Sequence, residues 1–198
     1  PDGIAMMGHP GDDAIMSLAE EASKAGILME YQNVDVPQVR AKFGGGYVGA
    51  NLEPQGRALA AEAIRTLTLD PAQDHVVVFG AWGDPGRFIR EEGTAKAFED
   101  AGFTVERIKS PPAAAADPNL LTPLVTAAVL KDPQTKVIVF SGGQTLGSAE
   151  AYMKALNKQA GEIYNIGFDT SPAVMDGFEK GFIQLTSDQQ PFLQGYMP

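Results

Sequence analysis

Short apolar runs alternate with longer amphipathic stretches along this chain, and this alternation constrains the fold more than any other feature. The runs at residues 76–79 and 137–140 contain only valine, isoleucine and phenylalanine, which is typical of strands buried on both faces of a sheet. The stretches between such runs place apolar residues at helical spacing. We therefore predict an α/β fold built from parallel sheets with helices on both faces.

The boundaries of these elements follow from the apolar periodicity and from glycine and proline positions. Strands are predicted at residues 4–7, 27–29, 47–49, 76–79, 104–108, 137–140, 163–167 and 182–185. Helices are predicted at residues 13–24, 54–67, 87–101, 120–130, 148–158 and 172–180. Residues 51–188 thus form a complete doubly wound domain. Residues 1–50 hold three strands and one helix, which leaves a sheet edge and part of a face uncovered, so we expect an incomplete N-terminal lobe.

Charge and composition exclude several classes of partner. The net charge is −10 and the sequence has no run of lysine or arginine, so we expect no nucleic-acid partner. Cysteine is absent, which excludes disulfides, thiol catalysis and thiolate metal sites. Every apolar stretch is shorter than the roughly 20 residues that span a bilayer, so we expect no direct membrane insertion.

The loops that follow the predicted strands are rich in amides, carboxylates and hydroxyls but poor in catalytic groups. In doubly wound sheets these loops form the ligand site. Of the two histidines, His75 lies at the start of a strand, away from this edge. No Gly-x-Ser-x-Gly elbow and no metal-binding spacing is present, so we predict no catalytic residue, no metal and no cofactor. Such loops suit a neutral polyol, whose hydroxyls each need a partner once buried.

One glycine-rich loop supports a rival interpretation. Gly80, Gly83 and Gly86 follow a strong strand and precede a helix, an arrangement that can cradle a pyrophosphate in a nucleotide-dependent enzyme. The spacing differs from the dinucleotide fingerprint. Trp82 would crowd an anion there and Asp84 would repel it. We keep an enzyme on this fold as a less favoured alternative.

Four segments, in order, resemble a known family. They are residues 47–51 (YVGAN), residues 90–93 (REEG), residues 163–169 (IYNIGFD) and residues 186–191 (TSDQQP). They are similar to the sugar-binding proteins of bacterial ABC transporters, in the ribose-type group of type I periplasmic binding proteins. The LacI-type transcription regulators contain a related effector-binding domain.

This resemblance implies two doubly wound lobes joined by crossovers. Residues 1–50 would form part of the N-terminal lobe, residues 51–188 the C-terminal lobe, and residues 189–198 a crossover back to the N-terminal lobe. It implies a receptor, not an enzyme, that closes by a hinge on a sugar or polyol in the interlobe cleft and delivers it to a membrane permease. It implies a periplasmic or lipid-anchored extracellular location. The alternative is the effector-binding domain of a LacI-type regulator.

The resemblance also assigns three ligand contacts. Arg90 matches the family's sugar-clamping arginine, Asp169 the carboxylate that accepts from ligand hydroxyls, and Gln189 an amide near the hinge. Each has a structural alternative. Arg90 can be a solvated arginine in the first turn of a helix, Asp169 can cap the helix that begins at Pro172, and Gln189 can bond the crossing backbone.

Four further polar candidates lie on strand-end loops. Gln32 and Asn33 stand where the ribose-type group often has Asp-Arg, which suggests a different ligand or pose. Gln144 lies where the family often has Asn-Asp. His9 follows the first strand, and its alternative is a solvated loop histidine.

Two aromatic residues complete the candidate site. Trp82, the only tryptophan, and Phe168 both lie at predicted strand ends, where a ring can stack on the C–H face of a sugar. The alternative for Trp82 is a partly buried lid over the core. The alternative for Phe168 is a core residue.

Overall fold

The computed structural model of the protein describes residues 1–84 and 88–197. These residues form two compact units, each with its own parallel sheet. The first unit contains residues 1–51 and 189–197 together with Asp84, and the second contains residues 52–83 and 88–188. Within the described residues, every helix is too short or too polar to cross a membrane. The predicted α/β architecture with parallel sheets is confirmed.

The first unit contains a three-stranded parallel sheet in the order β1-β2-β3. Its core lies on one face, where α1 and α2 pack against Tyr31 of β2. The elements in chain order are β1 (Gly3–Met7), α1 (Asp12–Lys24), β2 (Leu28–Gln32), α2 (Pro37–Phe43) and β3 (Gly46–Val48).

The predicted helices do not include α2, although the structure places this helix between the parallel strands β2 and β3. The helix is short and has no side-chain cap of its own. Instead, the Asp12 carboxylate accepts hydrogen bonds from the backbone N–H groups of Gln38 and Val39, each at 2.9 Å. A residue 26 positions away along the chain thus stabilises this helix end, which local sequence does not reveal.

The second unit contains a five-stranded parallel sheet in the order β5-β4-β6-β7-β8, a doubly wound topology. The strands are β4 (His75–Gly80), β5 (Val105–Lys109), β6 (Thr135–Phe140), β7 (Tyr164–Phe168) and β8 (Leu185–Ser187). The helices are α3 (Leu52–Thr66), α4 (Ile89–Asp100), α5 (Thr122–Lys131), α6 (Gly143–Leu146), α7 (Ala149–Ala155) and α8 (Pro172–Glu179). A last helix, α9 (Pro191–Tyr196), belongs to the first unit.

Alternate residues of β4 and β6 face opposite sides of this sheet. Val76 and Val78 pack with α3 and α4, whereas Val77 and Phe79 pack with α5, α7 and α8. All four are at most 1% exposed. Continuous apolar runs therefore read correctly as strands buried on both faces.

The last strand begins later than predicted. Residues 182–185 form the expected apolar run, but β8 starts at Leu185. The Asn165 side chain donates to the carbonyl of Phe182 at 2.8 Å, and the Gln184 side chain accepts from the Asn165 N–H. A backbone bond from the Gln184 N–H to the Asn165 carbonyl, at 3.0 Å, accompanies these side-chain bonds. Two further sequence features, the predicted helix start at Arg87 and the loop glycine Gly86, lie outside the described residues.

Helices α3 and α4 approach one another through two glycines. A Cβ added to Gly56 would overlap the carbonyl of Arg90, and a Cβ on Gly93 would overlap the carbonyl of Glu53. The Thr94 hydroxyl lies 3.1 Å from the Gly56 carbonyl, between the two helices. This backbone contact fixes the first turn of α4, which carries Arg90.

We predict that Gly56→Ala destabilises the protein by about 3 kcal/mol, because the new methyl group must push the two helix backbones apart. Gly195→Ala is the matched control, since nothing lies within 4 Å of a Cβ at that position. Urea denaturation followed by circular dichroism measures both. A Gly56→Ala variant with wild-type stability would show that the helices separate without cost.

Candidate functional site

The carboxyl edge of the second sheet gathers the residues that follow its strands. Parallel strands all end at one edge, so Trp82, Ser141 and Asp169, which follow β4, β6 and β7, lie along it. The first turn of α4, with Arg90, lies at the same edge and bonds the loops after β6 and β7. This edge is where doubly wound sheets bind ligands.

Arg90 is the centre of the cluster. Its Nη2 donates to the Ser141 carbonyl at 2.6 Å, and Nη1 and Nη2 lie 3.4 and 3.5 Å from the two carboxylate oxygens of Asp169. The guanidinium carbon lies 4.5 Å from the centre of the Phe168 ring. Only 15% of the Arg90 side chain is exposed, so it is not the solvated arginine of the alternative interpretation.

Asp169 is held by its backbone so that its carboxylate meets Arg90. Its φ of 69° is left-handed, its N–H donates to the Ser187 carbonyl at 2.9 Å, and its carbonyl accepts from the Thr186 hydroxyl at 2.7 Å. Ser171, not Asp169, caps α8 by accepting from the Val174 N–H. The capping alternative for Asp169 therefore does not apply.

The two aromatic candidates pack differently from one another. Phe168 is fully buried in the core at the end of β7. Trp82 is partly buried, donates its indole N–H to the Val78 carbonyl at 3.1 Å, and lies 5.5 Å from the Phe88 ring. Trp82 also packs beside Gly80, so the side of the glycine loop next to Gly80 is filled by the indole. A ligand contact by either ring stays a prediction.

Gln144 is exposed in α6, directly after Gly142 and Gly143. Both glycines lie against Asp169. A Cβ added to Gly142 would be 3.7 Å from Asp169 Oδ2, and a Cβ added to Gly143 would be 3.5 Å from Asp169 Cβ. Gln144 thus lies one residue from the Arg90 cluster. Its contact with a ligand stays a prediction.

The first unit contains a separate amide cluster. The Asn33 side-chain amide donates to Gln189 Oε1 at 3.1 Å and to Gln194 Oε1 at 3.2 Å. Asn33 has a left-handed φ of 68°, and the Tyr47 hydroxyl lies 3.0 Å from its carbonyl. The sequence therefore placed Asn33 and Gln189 correctly as neighbours of strand ends, but it did not identify Gln194, which is 6% exposed.

Two other first-unit candidates lie next to this cluster in sequence or at the same sheet edge. Gln32 is the last residue of β2 and is half-buried. His9 is the second residue after β1 and is also half-buried. Both stay predicted contacts.

Sequence reasoning missed Glu91, which is 3% exposed beside Arg90. Its Oε1 lies 3.5 Å from Arg90 Nε, and its Cβ packs against Gly80. Burial raises the pKa of Glu91 to about 7, although the charge of Arg90 opposes that rise. The REEG motif contains two adjacent glutamates, and nothing in the sequence distinguishes the buried one from the surface one.

The arrangement offers a guanidinium as donor and a carboxylate as acceptor, above the buried ring of Phe168. In residues 1–84 and 88–197, no three His, Asp or Glu side chains come together in a geometry that holds a metal ion. Arg90 and Asp169 provide a guanidinium fork and a carboxylate side by side, which suits neighbouring hydroxyl groups.

Comparisons with known proteins agree with this description. The model of the periplasmic binding protein domain matches residues 1–198. No curated protein sequence matches the chain. A solved periplasmic sugar-binding protein of an ABC sugar transporter from Legionella pneumophila is 23% identical, with a TM-score of 0.83 over 100% of this chain and 70% of that one.

Two further solved structures carry ligands. A solute-binding protein from Burkholderia graminis in complex with D-arabinose is 23% identical, with a TM-score of 0.76 over 99% of this chain and 66% of that one. A carbohydrate transporter protein from Acidothermus cellulolyticus in complex with myo-inositol is 22% identical, with a TM-score of 0.78 over 98% and 63%. At these identities the likeness concerns the fold, and the chain spans about two thirds of the length of each.

We predict that Glu91 makes the protein less stable as the pH rises from about 5 to about 8. Its folded pKa of about 7 lies above the usual 4.5, so the folded state holds a proton that the unfolded state has lost between these values. The free energy of unfolding should fall by roughly 3 kcal/mol through this group.

Glu91→Gln should remove this part of the pH dependence, whereas Glu92→Gln, a change one residue away on the same helix, should keep it. Urea denaturation at several pH values measures the difference. Equal slopes for wild type and Glu91→Gln would contradict the assignment.

Proposed function

The chain belongs to the periplasmic binding protein domain family, and we propose that it is the solute-binding receptor of an ABC importer for a sugar or sugar alcohol. The family is one of substrate-binding proteins, not enzymes, and we extend this to the chain by proposing that it binds its ligand without turnover. The ribose-type assignment within the family is part of the same proposal.

The observation that carries the proposal is the Arg90–Asp169 pair over Phe168. The two contacts between guanidinium and carboxylate, at 3.4 and 3.5 Å, are longer than the usual distance of about 2.7–2.9 Å for charged hydrogen bonds. Small rotations therefore free both groups for ligand hydroxyls. A carboxylate accepts from two hydroxyls and a guanidinium fork donates to two oxygens, so together they satisfy adjacent hydroxyls of one ring.

A neutral polyol fits this pair better than a charged ligand. Arg90 and Asp169 have opposite charges, so a single charge on the ligand would be attracted by one of them and repelled by the other. A hydroxyl group both donates and accepts, so each hydroxyl can pair with either side chain. The ligands of two similar solved proteins, the sugar D-arabinose and the cyclic polyol myo-inositol, belong to this chemical class.

The remaining predicted contacts are proposed to complete the binding surface. In the second unit, Gln144 would add an exposed amide and Trp82 would add apolar ring surface. Phe168, which is fully buried, would take part only through the Arg90 guanidinium above its ring. In the first unit we propose that the imidazole of His9 and the amides of Gln32, Asn33 and Gln189 also contact the ligand. Each of these residues lies at or just beyond the end of a strand, or in the segment that follows β8.

Family membership, rather than any distance within the chain, supports the wider proposals. We propose that residues 1–50 belong to one lobe and residues 51–188 to the other, with residues 189–198 crossing back. We propose that the lobes close on the ligand by a hinge, that a membrane permease receives it, and that the protein is periplasmic or lipid-anchored outside the cell.

We predict that Arg90→Ala weakens sugar binding by about 100-fold, because it removes charged hydrogen bonds that together contribute about 3 kcal/mol. Isothermal titration calorimetry with D-arabinose, D-fucose, D-ribose and myo-inositol measures the dissociation constants. Arg65→Ala is the control, since Arg65 is an exposed arginine paired with Glu62 on the same helix. The proposal is wrong if no sugar or polyol binds and a charged small molecule does.

A further inference from the structure

Glu91 occupies a position that burial makes costly. Its side chain is 3% exposed and lies between Gly80 of β4 and the Arg90 guanidinium. Moving an ionised carboxyl out of water costs several kcal/mol unless a charge of opposite sign compensates it. Proteins rarely retain a carboxyl in such a place unless it makes a specific contact.

Arg90 provides this contact. Glu91 lies at the Nε edge of the Arg90 guanidinium, and Asp169 lies at the Nη edge. The Nε edge of the guanidinium lies 3.5 Å from Glu91, whereas the Nη edge meets the Ser141 carbonyl and Asp169. The ring of Phe168 lies under the plane at 4.5 Å. Four neighbours, from the ends of two strands and from one helix, thus surround the guanidinium. Of these, Glu91 and Phe168 are buried, whereas Ser141 and Asp169 are partly exposed.

The two carboxylates have different access to solvent. The Asp169 side chain is 29% exposed, whereas the Glu91 side chain is 3% exposed. An incoming hydroxyl therefore reaches Asp169 but not Glu91. When Asp169 turns to a ligand, Arg90 loses its two long contacts with that carboxylate and keeps its contact with Glu91.

We propose that Glu91 is a positioning residue that holds the Arg90 guanidinium by its Nε edge, so that the Nη groups stay aimed at the ligand when Asp169 lets go. This role rests on the proposed function of Arg90 as a ligand contact. Glu91 touches no ligand itself and acts through Arg90.

The charged groups around Glu91 determine how the contact responds to pH. Arg90 on its own helix favours the ionised form, and Asp169 at the end of β7 disfavours it. Gly80 and Trp82 on the β4 side carry no charge. Two neighbouring charged side chains face other partners: Glu92 pairs with Arg107 and Lys96, and Arg57 on α3 pairs with Glu53 and Asp100. With a pKa near 7, Glu91 loses its charge as the pH falls through neutrality, and its hold on Arg90 weakens.

Two variants of the whole chain test the proposal. Glu91→Gln keeps the shape and an acceptor but removes the charge, and Glu91→Met removes both. At pH 8 we expect affinity for D-arabinose or myo-inositol, whichever the wild type binds, to fall about tenfold in Glu91→Gln and further in Glu91→Met. Wild-type affinity should decline toward that of Glu91→Gln between pH 8 and pH 6, while the affinity of Glu91→Gln stays constant.

A measurement without sugar separates this proposal from the proposed function. The Nε–Hε resonance of Arg90, assigned by its loss in Arg90→Lys, should shift and exchange its proton faster with water in Glu91→Gln and Glu91→Met. Glu92→Gln should leave it unchanged. If these changes occur but wild type binds no sugar, the positioning role stands and the proposed function fails.

Stability distinguishes positioning from a merely structural role. Because a buried amide costs less than a buried carboxylate, Glu91→Gln should be at least as stable as wild type at pH 8 while binding more weakly. An unchanged Arg90 resonance in both variants overturns the proposal. Wild-type affinity in Glu91→Met at pH 8 overturns it as well.

Discussion

The compensation of one partly buried positive charge organises the second unit of this protein. Arg90 stands in the first turn of α4, where the helix dipole is positive and disfavours a cation. Two carboxylates, a carbonyl and an aromatic face offset this cost. These contacts require the first turn of α4 to lie beside the loops after β6 and β7. The close backbone approach of α3 and α4 at Gly56 and Gly93 fixes the position of that turn relative to α3.

Each unit has a candidate ligand contact with left-handed backbone directly after a strand. In the described residues, four non-glycine residues have positive φ, and two of them, Asn33 and Asp169, are candidate ligand contacts. Such a conformation turns the chain sharply at the end of a strand, and Asn and Asp tolerate it better than most residues. Backbone that is held in sparsely populated conformations tends to occur at functional sites. The left-handed backbone of Asn33 and Asp169 thus falls on residues that the family resemblance also selects.

Each unit contains a cluster of polar groups that bond one another. In the second unit Arg90 and Asp169 offset each other's charge, and in the first unit the Asn33 amide bonds Gln189 and Gln194. Such groups exchange partners with a ligand at low net cost, since each bond lost is replaced by a similar one. The exception is Glu91, whose burial keeps it from exchanging with a ligand and leaves it as a fixed support for Arg90.

The sequence by itself determined the fold class and the strands of the second core, because runs such as 76–79 and 137–140 are apolar on both faces and need no information from elsewhere. It also placed Arg90, Asp169 and Gln189 at the ends of elements. Tertiary structure alone decided the end of α2 that the distant Asp12 caps, and the side-chain bonds of Asn165 and Gln184 just before β8. Tertiary structure alone also showed that Glu91 is buried, whereas the neighbouring Glu92 is partly exposed. These features depend on contacts between residues far apart in the chain, or on which side of a helix meets the core, and local periodicity carries neither kind of information.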